Sequence, residues 1–594
     1  MKPEFPYALL RKAVPALACC GMWMISARCP AAPVHLVEEK AVASGEVGQG
    51  TLFLDFGRVA FGNLKLTVPD GVSSPLRVHF GEKLDGKRID RKPPGTVRYA
   101  TAEIPATPGG TVVVAPPADG RNTKQPAAVL TPAEWGVVLP FRWVEIEGWP
   151  RGASSAGIVR QAAFAETWDD DAASFECSDE MLNRIWELCR YSIKATTFAG
   201  VYVDGDRERI PYEADAYLNQ LSHYATDHDL QMARDTFDRL MDHPTWPSEW
   251  APHMVFMAHV DWMQSGGTSW IRPRYEGMKK KLLLERAGAD GLIRSDDKQR
   301  SWNDIVDWPE GERDGFVFRE VNTVVNAFHL AALAKMADLA RAIGNDADAT
   351  EYEERFKRVH ALFQDKLFDA GKGAYRDGVG TTHTSSHASL FPLAFGLVPE
   401  EHRQDVAEFL AKRGMTCSVY AAQYLLEGLF ETGACEDALR LITADGDRGW
   451  THMVESGATI TWEAWDLKYK PNQDWNHAWG AAPANLLPRF VLGARPLEPG
   501  WAVCRIAPCP GELTEAKGRV PTPHGGLEVH WVRNSDFHLK ADLPKGVKAR
   551  VELPSTRLAD KVWMDGRELP ATRSGGRLVV DEPFGGSFHL VVRP

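Results

Sequence analysis

The hydrophobic period changes twice along this 594-residue chain, and those changes fix the kind of fold it can adopt. From about residue 33 to about 170, apolar and polar side chains alternate in short runs at 51–57, 64–68, 76–80, 111–114 and 141–148. Gly, Pro and Asp punctuate the gaps, as turns between half-buried strands require. Near Ser178 the spacing switches, and Ile185, Trp186, Leu188 and Cys189 recur at helical intervals. About twelve helical segments then run to about Leu492. They include 179–197, 213–226, 229–242, 249–265, 320–343, 347–368, 417–432 and 477–492. Within 347–368, Tyr352, Phe356, Val359 and Phe363 form a stripe that must be buried against a neighbour. The last hundred residues alternate again, at 527–532, 547–553, 578–580 and 588–592.

A dozen amphipathic helices with no strands between them suit a closed ring of helical hairpins, an (α/α)6 toroid. No fixed repeat length speaks for a solenoid. The chain is also longer than one core can serve. The predicted organisation is an N-terminal β-sandwich over 33–174, the toroid over 175–495 and a C-terminal β-sandwich over 496–594, with 496–500 as the linker.

Residues 1–32 read as a signal peptide: Arg11 and Lys12 precede an apolar run, 13–25, that ends in small residues. The run is too short to span a bilayer comfortably. An exported protein is expected, periplasmic or extracellular, with lipid attachment at Cys19, Cys20 or Cys29 as a variant of that fate. The net charge of −12 argues against nucleic acid or an anionic membrane as partner. Cys177, Cys189, Cys417, Cys435, Cys504 and Cys509 show no CxxC spacing and no companion His pattern, so neither a metal site nor a cofactor is expected. Six cysteines are also too sparse for a disulfide framework at this length.

Three stretches interrupt the helical pattern with polar chemistry. Residues 202–215 hold Asp204, Asp206, Glu208, Glu213 and Asp215 together with Arg207 and Arg209, next to Tyr202 and Tyr212. A run of this kind is usually a solvated loop before a helix. Here the arginines flanking Glu208 would hold carboxylates by charge-assisted hydrogen bonds. Asp215 follows Glu208 by about two helical turns if the helix already runs that far. The stretch 457–466 sets Glu463 between Trp462 and Trp465, either as the surface residue of a strand or as a carboxyl whose burial raises its pKa toward a catalytic range. The stretch 302–311 mixes Asp304 and Asp307 with Trp302 and Trp308. Acidic, Trp-rich loops on a helical ring suit carbohydrate, since indole faces pack on sugar C–H faces and carboxylates bind hydroxyls. Most of the 20 tryptophans are nevertheless expected in the core.

Asp204-Gly205-Asp206-Arg207-Glu208-Arg209, followed by Tyr212 and Asp215-Ala216, resembles the acid loop of glycoside hydrolase family 78, the bacterial α-L-rhamnosidases. Residues 457–466, Gly-Ala-Thr-Ile-Thr-Trp-Glu-Ala-Trp-Asp, and Asn476-His477 resemble two further motifs of that family. Leu54-Asp55-Phe56-Gly57 and Phe141-Arg142-Trp143-Val144-Glu145 are similar to its sandwich strands. The order Asp206-Arg207-Glu208 departs from the family's Arg-Asp-Glu, and Tyr212 stands where the family has Trp. The resemblance implies an inverting hydrolase that releases a terminal α-L-rhamnosyl or closely related sugar, with Glu208 as general acid and Glu463 as general base. It further implies that Asp204, Arg207, Tyr212, Asp215, Trp462 and His477 line the sugar pocket, with Trp302 or Trp308 as a stacking wall. Two other classes remain open. One is a polysaccharide lyase on a similar toroid, drawing on Tyr212, His477 and Arg207. The other is a glycan-binding protein without turnover.

Overall fold

The computed structural model describes residues 33–48, 50–124 and 127–594; the signal expected at 1–32 lies outside them. The N-terminal part is an eight-stranded antiparallel sheet built on one long strand, Thr51–Thr67. That strand pairs with Leu139–Glu147 and Ile158–Ala165 and is irregular between Asp55 and Ala60, so it bends and serves strands on both sides. Leu54, Phe56, Leu64, Leu66, Val78, Phe80, Phe141, Val144 and Ile146 are the inward members of the alternation and form the core beneath it.

Between Glu180 and Leu486 lie thirteen α-helices. They start where the sequence supplies caps. Asp179 accepts from the amides of Met181 and Leu182, Asn322 from that of Val325, and Ser418 from those of Tyr420 and Ala421. The predicted stripe on Asp346–Leu367 is present, with Tyr352, Val359 and Phe363 buried and Phe356 half-buried. The helix Ala482–Leu486 packs on the first two helices of the domain, Glu180–Ala195 and Glu213–Tyr224, which closes the ring. No helix among the described residues is long and apolar enough to cross a membrane.

The C-terminal part pairs a seven-stranded antiparallel sheet with a six-stranded one. The strand Ser174–Cys177 lies beside Glu515–Thr522, so the chain visits the C-terminal sheet before it enters the helices. The stretch read as a linker is not a free tether. Ala494–Pro496 is a strand, and Trp501 is buried against the helix His253–Ser265, its indole N–H donating to Gln264 Oε1 at 2.8 Å.

Cysteine count alone gave no pairing, yet Cys435 and Cys509 are joined, 74 residues apart in sequence and 5.7 Å apart at Cα. The bond ties the helix Cys435–Ile442 to the C-terminal sheets. A disulfide restricts the unfolded chain and typically contributes about 2–4 kcal/mol. Cys435→Ser is therefore expected to lower the denaturant midpoint of unfolding by that amount of stability. An unchanged midpoint would show that packing alone holds the junction.

Candidate active site

Residues 201–212 form an irregular loop between the turn Thr196–Ala199 and the helix Glu213–Tyr224. The helix begins only at Glu213, so the two-turn spacing of Glu208 and Asp215 on one helix does not apply. The loop is folded back on itself instead. Asp204 N donates to Ile210 O at 3.0 Å, Ile210 N to Asp204 Oδ1 at 2.9 Å, and Arg209 N to Gly205 O at 3.2 Å. Gly205 has φ 114°, and a Cβ there would lie 3.0 Å from Asp474 Oδ2 and 3.2 Å from Asn476 Oδ1. Only glycine lets this loop approach 457–477 so closely.

Asp206 is the loop's anchor. Its buried carboxylate accepts from Arg209 Nη2 at 2.7 Å and pairs with Arg98, while its amide donates to Asn476 Oδ1 at 2.8 Å. Burial opposes its charge, but the two guanidinium groups outweigh burial and hold the carboxyl below its ordinary value. This leaves Arg207 for the facing loop. Arg207 makes a fork to Glu463, Nη1–Oε2 2.8 Å and Nη2–Oε1 3.1 Å, and its Nε lies 3.5 Å from Glu208 Oε1. One guanidinium thus spans the two glutamates that the sequence singled out.

Glu463 is only 3% exposed. Burial pushes its carboxyl up, but Arg207, His477 and Lys470, whose Nζ lies 3.2 Å from Oε1, outweigh it and bring the carboxyl down to about 2. The amide of Asp474 also donates to its Oε2 at 3.0 Å. This reverses the expectation of a carboxyl raised between indoles. Trp462 is buried, stacked on Trp475 with centroids 5.0 Å apart, and Trp465 is buried against Trp450. Both indoles are buried in these ring contacts.

Glu208 is the more open carboxyl, its side chain 31% exposed, and Tyr212 Oη donates to its Oε2 at 3.0 Å. Asp204 is buried, and burial together with the neighbouring Glu208 raises its carboxyl far above the ordinary range. Asp215 is likewise raised, by burial first and then by Glu463. His477 Nε2 lies 3.4 Å from Asp215 Oδ1, and burial lowers its imidazole to about 3. The pair is therefore a carboxyl in which burial favours the protonated form, beside a ring that is neutral at neutral pH. Asp215 Oδ1 and His477 Nδ1 are buried and find no hydrogen-bond partner among the described residues. Orphaned atoms of this kind, beside two glutamates on one arginine, are groups that a hydroxylated ligand would satisfy.

Trp308 is half-buried against the helical core, next to Asp307, whose carboxylate receives Ser418 N at 2.9 Å and His387 Nε2 at 2.7 Å. Trp302 is half-exposed and stacks on Trp246.

Residues from the N-terminal sheet complete the site, and the sequence did not announce them. Thr96 Oγ1 donates to Gln473 O at 2.9 Å and also meets Asp474 Oδ1. Glu82 Oε1 accepts from Asn476 Nδ2 at 2.9 Å, and burial raises its carboxyl to about 8. Asp474, raised to about 7 chiefly by burial, accepts from Arg207 N at 3.1 Å. Glu82 and Asn476 lie 394 positions apart, so no local pattern in the sequence joins them.

With the site assembled, its likeness to known proteins is specific. The six-hairpin glycosidase domain of bacterial α-L-rhamnosidases matches residues 170–491. The concanavalin-like domain of the same proteins matches 45–162, and their C-terminal domain matches 493–566. The chain belongs to the bacterial α-L-rhamnosidase family. An α-L-rhamnosidase of Formosa agariphila is 23% identical over 488 residues, covering 74% of this chain and 50% of the relative. One of Alteromonas sp. is 23% identical over 606 residues, covering 93% of this chain and 62% of the relative. Among solved structures, the α-L-rhamnosidase of Dictyoglumus thermophilum superposes with a TM-score of 0.78 at 20% identity, covering 95% of this chain and 64% of that one. That of Streptomyces avermitilis, complexed with L-rhamnose, gives 0.76 at 19% identity, covering 95% and 54%. The chain thus spans about half to three-fifths of the length of these two curated relatives, and the structural likeness shows the shared fold.

Proposed function

We propose that the protein is an inverting glycoside hydrolase that releases a terminal α-L-rhamnosyl sugar from a glycan or glycoside. The observation that carries this reading is the pair Glu463 and Glu208 held on the single guanidinium of Arg207, one buried and ionised, the other open to solvent. An inverting enzyme needs an ionised carboxylate to take a proton from water and a second carboxyl to protonate the departing oxygen. Glu463 is the base, Glu208 is the acid, and Tyr212 orients Glu208. Asp204, Asp215 and His477 bind the sugar hydroxyls, the last two through Asp215 Oδ1 and His477 Nδ1. Arg207 is a positioning residue that keeps Glu463 charged. Family membership and the α-L-rhamnosidase names of the relatives support the choice of sugar.

The lyase reading draws less support. Burial, together with Asp204 and Glu208, raises the Tyr212 phenol far above its ordinary value, which makes it a poor base.

Proton NMR during the first minutes of hydrolysis tests the proposal. An α-L-rhamnoside should release the β-anomer first, before mutarotation mixes the two. Appearance of the α-anomer first would mean a retaining enzyme with a covalent intermediate. Carboxyls about 5–5.5 Å apart would go with it, and the role of Glu463 as a base acting on water would fall. An unsaturated product absorbing in the near ultraviolet would point to the lyase, and binding without turnover to the glycan-binding protein.

The protein is also proposed to act outside the cytoplasm, after cleavage of the N-terminal segment. The Cys435–Cys509 bond supports this, since disulfides persist in oxidising compartments. Residues 1–40 fused to a reporter active only outside the cytoplasm should deliver activity. Mature protein that retains Met1 in its native host would exclude it.

A further inference from the structure

Two large indoles stand in the open on loops that are joined to the end of the acid loop. Trp246 and Trp302 are 38% and 50% exposed and stack on each other, with centroids 5.1 Å apart and planes 29° apart. Trp246 lies on the loop 243–252 between the helices Gln231–Asp242 and His253–Ser265. That loop is fastened at two points to the dipeptide that follows the acid loop. Thr245 N donates to Glu213 Oε1 at 2.9 Å, and its hydroxyl meets Glu213 Oε2. Four residues beyond Trp246, the ring of Trp250 packs edge-on against Tyr212 at 5.7 Å. Tyr212 in turn donates to Glu208. The two indole loops are locked together as well. Asn303 Nδ2 donates to Trp246 O at 2.9 Å, and Ser248 N donates to Asn303 O at 2.8 Å.

The pair is thus a water-facing aromatic surface, set in place by the hydrogen bonds of its two loops rather than by burial. Two exposed indoles held in one geometry offer a flat apolar face to a ligand.

We propose that Trp246 and Trp302 form the platform for the saccharide that bears the departing sugar. The proposal rests on the glycosidase reading above. A general acid sits on the leaving-group side of the scissile bond, because it protonates the oxygen that departs. A surface tied to Glu208 through Tyr212 and Glu213 therefore lies along the leaving group's path. Indole faces pack on the C–H faces of sugar rings, so the ligand class is a saccharide ring presented face-on. The platform sets the preference for the leaving group and leaves the sugar pocket around Asp215 and His477 to select the sugar released.

Two substrates separate the parts of this claim. One is α-L-rhamnosyl fluoride, whose leaving group is a single atom. The other is a trisaccharide in which α-L-rhamnose is linked to a disaccharide. In Trp246→Ala, kcat/KM on the trisaccharide relative to that on the fluoride should fall about tenfold, mainly through KM, as loss of one stacking contact implies. Trp246→Phe should restore most of the ratio. A ratio that moves less than about twofold in Trp246→Ala, including an equal loss on both substrates, overturns the platform. If the unaltered protein turns over neither substrate, the glycosidase reading itself fails and takes the platform with it.

Discussion

Glutamine in place of either Glu208 or Glu463 is expected to lower kcat by at least about a thousandfold, in keeping with general acid–base terms of about 10²–10⁴. The amide keeps the shape but neither gives nor takes a proton. The two substitutions should nevertheless behave differently. Glu463 is buried and answers two cations, Arg207 and Lys470. Glu463→Gln leaves both facing a neutral group, so it should also cost stability, and thermal unfolding must show that the variant is folded at the assay temperature. Glu208 is partly open, and its polar partners among the described residues are Arg207 and Tyr212, so Glu208→Gln should unfold close to the unaltered protein. Leaving-group chemistry then separates the roles. An aryl rhamnoside with an acidic phenol needs little protonation, so it should recover much of the rate in Glu208→Gln and little in Glu463→Gln. Equal recovery in both would reverse or abolish the assignment. A variant that keeps more than about a tenth of the activity would remove that residue from the mechanism.

Much of the architecture was legible because periodicity is a local signal. The helices Glu213–Tyr224, Thr323–Ile343 and Val419–Glu431 stand within a few residues of their predicted spans, and the β–α–β order of the chain follows from the same signal. Pairing was legible where both partners lay in one short stretch. Two arginines beside Glu208 implied that at least one points away or pairs with Asp204 or Asp206, and Arg209 takes Asp206. Electrostatics that depends on distant segments was not legible. Trp462 and Trp465 suggested an apolar setting for Glu463, but Trp462 stacks on Trp475 and Trp465 meets Trp450 edge-on, while Arg207 arrives from 256 positions away. For the same reason, Thr96, Arg98 and Glu82 gave no hint of their place beneath the site. They are ordinary polar residues of a strand end and a loop until the fold brings 204–209 and 472–476 against them. The disulfide escaped because its two cysteines lie 74 residues apart, on a helix and a domain junction, with no spacing rule to join them.

Arg207→Met should move the acidic limb of the kcat/KM profile upward by two units or more, because burial alone shifts a carboxyl by up to about 3–5 units. In the unaltered enzyme Glu463 sits at about 2, since Arg207 is the largest of the influences that oppose its burial. The base is then ionised across the working range, and its own titration falls below the pH at which most proteins survive. Without the guanidinium, Lys470 is the one cation in ion-pair contact that remains among the described residues, and the desolvated carboxyl rises. Where it rises past neutrality, the protonated base forfeits about 10²–10⁴ in rate. Stability follows the same linkage. A carboxyl depressed on folding contributes stability that is fully present above its unfolded value of about 4.3 and is lost as pH falls toward about 2. Arg207→Met should abolish that contribution, and breaking one side of a buried pair costs about 3–5 kcal/mol. Arg207→Lys distinguishes charge from geometry. It restores a positive charge but not the two-pronged contact, so it should return the acidic limb partway and the rate less. If Arg207→Met loses activity while its acidic limb stays in place, Arg207 acts on the substrate directly and does not set the charge of Glu463.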